Sequence, residues 1–374
     1  MHQSNGLRFR GATILGIGTA TPKFKVDTQT SADFAERTSF AAPSHSRRVK
    51  ALYRRSGIEH RGCVLLAEDD ASDLLNEFYP PALSNLDRGP STELRSQRYA
   101  AEAPVLGLAS CQRALQQSGV SANEITHLVS VSCTGFSAPG IDIALIDQLK
   151  LPITTERVQV GFMGCHGAIN GIRAARGLIA SDDARVLLCS VELCSLHYQY
   201  GVEADQIISN ALFADGSGAL VLTSPTDPNC GQTERGQIVA TGSYLVPASR
   251  DAMTWQIGDH GYEMTLSAQV PSLIETHLSS FLETWLAEQG ESIASIGGWA
   301  VHPGGTRILS AVEQGLSLGP DALTSSREVL RKHGNMSSAT MLFVLEHLES
   351  INQPKPWLML GFGPGLEIEV ALIR

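Results

Sequence analysis

The stretch "VGFMGCHGAINGIRAARGLI" (residues 160–179) sets a single cysteine, Cys165, between Gly164 and Gly167. Just upstream, "RVQVGF" reads as a strand. Downstream, Ile169, Ile172, Ala175 and Ile179 recur at helical spacing. A strand that turns through glycines into a helix is the building unit of an α/β fold, and here it puts Cys165 at a helix N-terminus. Peptide dipoles at such an end favour a thiolate over a thiol. The glycines leave room for a substrate and free backbone N–H groups to face an oxyanion. A packed structural thiol fits the same letters, so the decision rests on partners elsewhere in the chain.

Strand and helix patterns alternate on both sides of this stretch. "ATILGIGTATP" (12–22) predicts a buried strand; its G-x-G lacks the third glycine of a dinucleotide loop, and Pro22 follows at once. Helical periodicity appears in "TQTSADFAERTSF" and around 45–56, while 80–98 is Pro- and Ser-rich and reads as a surface excursion. A helix from 99, a strand "THLVSVSCTG", a helix at 140–149, a strand near 157–162, the Cys165 helix, and strands "RVLLCSVEL" and "GALVLTS" follow. After a turn-rich break near 225–236 come a long helix near 266–288, a strand "IGGWAVH" and helices near 304–317, 324–333 and 338–350. The strands "PWLMLGFG" and "LEIEVALI" close the chain.

Composition narrows the classes. The 374 residues are 43% apolar and 18% charged, which suits one large domain or two intimate ones. No apolar run is long enough to span a membrane, and the N-terminus lacks the features of a secretory signal. The seven cysteines include no C-x-x-C pair, so neither a zinc site nor a disulfide framework is expected, and a reducing cytoplasm fits best. A net charge of −10 argues against general nucleic-acid binding. Against that balance, "RRVKALYRR" (47–55) is strongly basic. It is either a solvated helix face or a landing patch for a polyanion.

Two partners for Cys165 lie downstream. "WAVHPGGTRIL" places His302 at a strand end, where α/β proteins build their sites; a histidine capping the turn is the alternative. "KHGNMSSATMLFVLE" places Asn335 just ahead of an apolar helix, where it also suits a helix cap. Cysteine, histidine and asparagine together can activate a thiol and stabilise an enolate or oxyanion.

The segments "GCHGA", "VHPGGTRIL", "GNMSSATMLFVLE" and "GFGPGLEIEVAL" resemble the type III polyketide synthases, the chalcone synthase-like branch of the thiolase fold. The likeness runs from "LGIGTATP" and "CTGFSAPGID" through "ALFADGSGALVL" to the C-terminus. It implies an α/β protein with a five-layer αβαβα core of two similarly folded halves. Residues 1–228 would carry the nucleophile and 229–374 the histidine and asparagine. It also implies a homodimer that uses acyl-CoA and malonyl-CoA, with no metal or redox cofactor.

Carried over by residue, Cys165 would hold the starter and growing chain and pair with His302. His302 and Asn335 would bind the malonyl carbonyl and stabilise the enolate formed on decarboxylation. Phe213 matches a gatekeeping aromatic, and Met264 stands at the second gatekeeping position. Cys133, Thr134, His197, Trp255 and Ser337 fall at pocket positions, with Gly304 and Gly305 beside the substrate. Ala138 and Pro139 fall in the loop that reaches the partner subunit's cavity. Arg48, Lys50, Arg54 and Arg55 fall in the coenzyme A segment, where a further basic position is Ala51. The set Cys133, Trp255 and Met264 looks more like bacterial alkylpyrone and alkylresorcinol synthases, which accept fatty acyl starters. The resemblance leaves two competitors: a carrier-protein-dependent ketoacyl synthase and a non-catalytic acyl-CoA-binding relative.

Overall fold

The computed structural model describes residues 11–38, 43–66, 77–180, 184–228, 230 and 235–374. Ser39 and Phe40, at the end of one predicted helix, much of the turn-rich 225–236 segment, and the first ten residues lie outside the described residues.

The first half begins with β1 (Ala12–Ala20), β2 (Lys25–Asp27), α1 (Thr28–Thr38), α2 (Pro43–Arg55) and β3 (His60–Gly62). It continues through α3 (Thr92–Ser118), β4 (His127–Ser132), α4 (Ile141–Leu149) and β5 (Glu156–Gly161). Then come α5 (Gly167–Ile179), β6 (Arg185–Leu193), α6 (Ala204–Leu212) and β7 (Asp215–Thr223). The second half holds β8 (Gln237–Leu245), β9 (Met253–Gly258), β10 (Gly261–Leu266), α7 (Val270–Glu288) and β11 (Gly298–Val301). It ends with α8 (Thr306–Gly315), α9 (Thr324–His333), α10 (Thr340–Ser350), β12 (Trp357–Gly363) and β13 (Glu367–Ile373).

A nine-stranded sheet runs in the order β11-β12-β13-β8-β1-β7-β6-β4-β5. Its two halves share one pairing plan. The first strand of each half, β1 or β8, lies antiparallel to the last, β7 or β13. That last strand is antiparallel to β6 or β12, which in turn pairs in parallel with β4 or β11. The halves join where β1 meets β8 through Ala12–Ile238 and Thr13–Gln237.

Three apolar clusters separate the layers. Ile169, Ile172 and Ile179 of α5 and Leu342, Val344 and Leu345 of α10 pack between strand residues of both halves, such as Leu220 and Met359. Each such buried side chain contributes roughly 1.5–3 kcal/mol. A second cluster packs α3 and α4 on the first half, and a third packs α7 and α8 on the second. With the sheet's two halves joined at β1–β8 and α5 and α10 between them, the order is helix, half-sheet, helix, half-sheet, helix, the expected five-layer arrangement.

Four sequence readings change. The G-x-G of β1 serves close packing: a Cβ at Gly16 would lie 2.2 Å from Ala114 O, and one at Gly18 would lie 2.3 Å from Ser110 O on α3. The excursion at 80–98 ends early, because Ser91 caps α3 by accepting from Leu94 N–H at 3.3 Å. The helix expected from 266 begins at Val270, since 261–266 form a strand of the β9–β10 hairpin. A strand was not expected at 237–245, where β8 joins the two halves.

Candidate active site

Cys165 stands at the mouth of α5, as its glycines predict, but those glycines make space for protein rather than substrate. Gly164 has φ +83°, and a Cβ there would lie 2.3 Å from Pro364 Cδ. A Cβ on Gly363 would lie 2.2 Å from His166 Nε2. The "GCHG" and "GFGPG" segments are therefore one packed unit.

Asn335 is brought to the cysteine by a short bridge to the start of β7. Its N–H donates to Leu212 O, and its O accepts from Ala214 N–H, both at 2.9 Å. The Ser337 N–H donates to Asn335 Oδ1 at 2.9 Å, which fixes the carboxamide and leaves its NH₂ to donate to the Cys165 sulfur. Ser337 itself, at φ 47°, donates its hydroxyl to Cys165 Sγ at 3.7 Å. A left-handed non-glycine residue at such a point is strain held in place by its surroundings.

His302 directly follows β11, and its N–H donates to Leu360 O at 2.8 Å. The imidazole is buried, and neither ring nitrogen has a hydrogen-bond partner among the described residues. Burial, and then the neighbouring His166, push its pKa down to about 3. Cys165 is half-buried, and burial pushes its thiol up to about 12 despite the donors Ser337 and Asn335. Burial thus opposes charge on both groups, against the helix dipole that favours the thiolate. A raised thiol pKa means that the thiolate fraction keeps growing with pH. Alkylation of Cys165 by iodoacetamide should therefore rise about tenfold per pH unit through pH 9. A plateau near pH 7 would contradict this.

The sulfur faces a small apolar pocket lined by Cys133, Thr134, Cys194, Phe213, Met253, Trp255, Met264 and Ser337. Its free volume of about 30 Å³ is roughly the space of one water. Trp255 is the reason: its Nε1 donates to Cys133 O at 2.8 Å, and its ring packs on Phe213 and Tyr262. His197 braces that wall. Its Nε2 donates to Thr134 O at 2.7 Å, its Nδ1 accepts from Tyr262 N–H at 3.0 Å, and its ring stacks on Tyr262. Burial lowers its pKa to about 3, so His197 is a neutral wall group. Ala138 and Pro139 are exposed and do not line this pocket within one chain.

Met264 lines this pocket and also a larger cleft of about 510 Å³. Leu52, Arg55 and Ser56 of the α2 end contribute one side, and Gly304, Gly305, Thr306 and Arg307 another. Within the basic segment, Arg48, Arg54 and Arg55 are exposed. Lys50 is ion-paired, its ammonium lying 3.2 Å from Asp33 and 2.9 Å from Glu36 of α1.

Sequence reasoning missed Glu192. This fully buried carboxylate accepts from Thr134 Oγ1 at 2.6 Å, from Cys133 N–H at 3.1 Å and from the Ser338 hydroxyl, and burial raises its pKa. The one signal was an acid within the apolar strand "RVLLCSVEL". His166 also gains a setting: its ring nitrogen Nδ1 bonds Asn170 Oδ1 at 2.6 Å, and Nε2 lies 3.6 Å from Glu367 Oε2. Among the described residues, no group of three or more His, Cys, Asp or Glu is placed to hold a metal ion.

A thiol at a helix mouth with two donors on its sulfur, set between α/β halves that share one pairing plan, fits the thiolase-fold pattern that the sequence resembles. Family profiles for the chalcone and stilbene synthases match the chain, the N-terminal domain over residues 2–228 and the C-terminal domain over 237–374. The chain belongs to this family, as a chalcone synthase-like type III polyketide synthase. It is 30% identical over 345 residues to "Polyketide synthase 37" of Dictyostelium discoideum, covering 88% of this chain. It is 29% identical over 370 residues to "Probable polyketide synthase 1" of the same organism, covering 96%. The chain spans only 11% of the length of either relative. Among solved structures, the C-terminal type III polyketide synthase domain of Steely1, a type I/III hybrid from Dictyostelium, superposes with a TM-score of 0.86 at 28% identity. That match covers 97% of this chain and 99% of the other. PKS-I from the brown alga Ectocarpus siliculosus gives 0.86 at 27% identity, covering 98% of each chain.

Proposed function

We propose that the protein loads an acyl group from an acyl-CoA onto Cys165 and extends it with malonyl-CoA. The chain would then close to a pyrone, resorcinol or related phenol. The observation that carries this reading is the Cys165 sulfur, met by Asn335 and Ser337, in a pocket that shares Met264 with the larger cleft. In loading, the sulfur bonds the acyl carbon, the bond to the CoA sulfur breaks, and the thiol proton passes to the departing CoA thiolate. In extension, CO₂ leaves malonyl-CoA, the enolate carbon attacks the acyl carbon, and Cys165 departs and takes up a proton. Asn335 Nδ2 and a neutral His302 N–H are the donors for the enolate oxygen. The chemistry then calls for no metal or redox cofactor, only thioesters.

For the starter, the reading is a flexible fatty acyl chain. The supporting feature is the apolar pocket lining, in which Met253 and Met264 can change rotamer where a rigid ring could not. The room has to come from those side chains, since the resting pocket holds only a water's volume. The test is incubation of purified protein with malonyl-CoA and a panel of short, long and aromatic acyl-CoAs, with products read by mass spectrometry. Long-chain pyrones or resorcinols formed without a carrier protein are expected. Products from malonyl-CoA alone, or a need for a carrier protein, would contradict the reading.

The working form is taken to be a homodimer in the cytoplasm. The exposed strand β5 ends the sheet, and exposed Phe136, Ile153 and Val158 lie in and around it, next to the Ala138–Pro139 loop. Unpaired apolar edges of this kind need covering. All seven cysteines are free, in keeping with a reducing compartment. Among the described residues no helix is long and apolar enough to cross a membrane. Light scattering should give twice the chain mass; a monomer at micromolar concentration would contradict the dimer.

A further inference from the structure

We propose that His166 is a positioning residue for the condensation: its ring fixes the mouth of the Cys165 helix against the strand that holds His302. This rests on the reading of Cys165, His302 and Asn335 as the condensing set. His166 adjoins the nucleophile, stands just before α5 and is buried. Its ring lies on β12, where Gly361 and Gly363 face it from alternate positions of the strand. A Cβ on Gly361 would lie 2.9 Å from His166 Cβ, and one on Gly363 would meet the ring itself. Leu360, one residue before this seat, accepts the His302 N–H. The His166 ring is therefore set on the strand segment that holds His302, close enough for the two imidazoles to interact electrostatically.

A line of hydrogen bonds orients that ring. β13 pairs with β12 so that Glu369 stands opposite Gly361, and Glu367 opposite Gly363. The buried Glu369 carboxylate is ion-paired with Arg173 and accepts from Ser243 Oγ and Asn170 Nδ2, both at 3.0 Å. Because Asn170 spends its NH₂ on that carboxylate, its Oδ1 is an acceptor, and His166 Nδ1 donates to it across 2.6 Å. His166 Nε2 has no hydrogen bond among the described residues, although Glu367 Oε2 lies 3.6 Å away. The ring is thus oriented from its Nδ1 side. The line runs from an ion pair to the residue beside Cys165, and it ties α5 of the first half to β8 and β13 of the second. A ring that merely filled space would not need this anchoring. Holding sulfur and imidazole in register does, since a misplacement of about 1 Å can cost about a hundredfold in rate.

The test separates acyl loading of Cys165 from extension with malonyl-CoA, because loading uses the sulfur with Ser337 and Asn335, whereas extension also needs His302. His166→Phe keeps a ring and loses the Nδ1 donor. It should lower kcat for extension about tenfold or more, with KM for malonyl-CoA and the loading rate within about twofold of wild type. His166→Asn, which returns an N–H near the place of Nδ1, should recover most of that loss. His166→Gln, which reaches toward the place of Nε2, should not. Asn170→Leu should match His166→Phe, and the double variant should be no slower than either alone; if His166→Phe does not fold, Asn170→Leu carries the same comparison. Equal loss of loading and extension, a wild-type kcat, or additive losses in the double variant would overturn the proposal. Histidine NMR gives a readout independent of turnover: the His302 Cε1–H resonance, assigned by its absence in His302→Ala, should shift in Asn170→Leu. If the wild type makes no product, the condensing activity is wrong, while that shift still supports the placement. An unmoved resonance would overturn it.

Discussion

Replacing Cys165 with alanine is expected to abolish both product formation and covalent capture of the acyl group, with the fold retained. The side chain shrinks at a half-buried position beside a small pocket, so the change in packing is slight, while the sulfur met by the Asn335 and Ser337 donors is lost. No neighbour can substitute efficiently. Cys133 and Cys194 also line the pocket, but burial and the Glu192 carboxylate push both thiols well above the ordinary range. Cys133 Sγ is moreover spent on hydrogen bonds to Glu192 at 3.2 Å and Ser337 at 3.0 Å. Circular dichroism matching the wild type, together with product below about one thousandth of the wild-type rate, is the outcome expected when a nucleophile is removed. Undiminished condensation by the purified variant would refute the assignment.

The second large effect is expected at Asn335. Alanine there should slow decarboxylation of malonyl-CoA by about 10²–10³, the usual cost of one donor at a developing oxyanion. Loading of Cys165 should persist, because the thiol and its Ser337 contact remain. The carboxamide works through its orientation: Oδ1 is held by Ser337 N–H, so only NH₂ can face the pocket. Asn335→Asp should therefore be at least as damaging as alanine, since the same backbone contact would aim a carboxylate oxygen at an enolate. Release of CO₂, measured separately from acyl loading by mass spectrometry, distinguishes the two steps. Equal loss of loading and decarboxylation would instead indicate a collapsed pocket.

Much of this was legible in the letters, though partly for reasons the structure changes. The strand–glycine–helix at Cys165, the strand-end His302 and the pre-helix Asn335 stand where their patterns put them. Periodicity gave most of the strands and helices of both halves. The glycines around Cys165 were noticed for the right chemistry and the wrong geometry, because Pro364, whose ring occupies the space beside Gly164, lies about 200 positions away. The β9–β10 hairpin was missed because "MTWQIGDHGYEMTL" mixes exposed apolar and charged residues. Its turn shows only in Gly258 and in Gly261, which adopts φ +101°.

The ionisation states could not have been read from the chain. A helix N-terminus lowers a thiol pKa and burial raises it, and only packing determines which prevails at Cys165. Lys50 looked free because Asp33 and Glu36 sit on a different helix, and Glu192 looked like one acid among many until the fold brought Cys133, Thr134 and Ser338 to it.

The most direct test of the central claim is to incubate the wild-type protein briefly with a long-chain acyl-CoA and map the adduct by peptide mass spectrometry. Three thiols share one pocket, so the position of the acyl group is informative. The account predicts a single acyl thioester on Cys165, lost in Cys165→Ala and retained in Asn335→Ala. An adduct on Cys133 or Cys194 at comparable rate, or none under conditions where product forms, would contradict it.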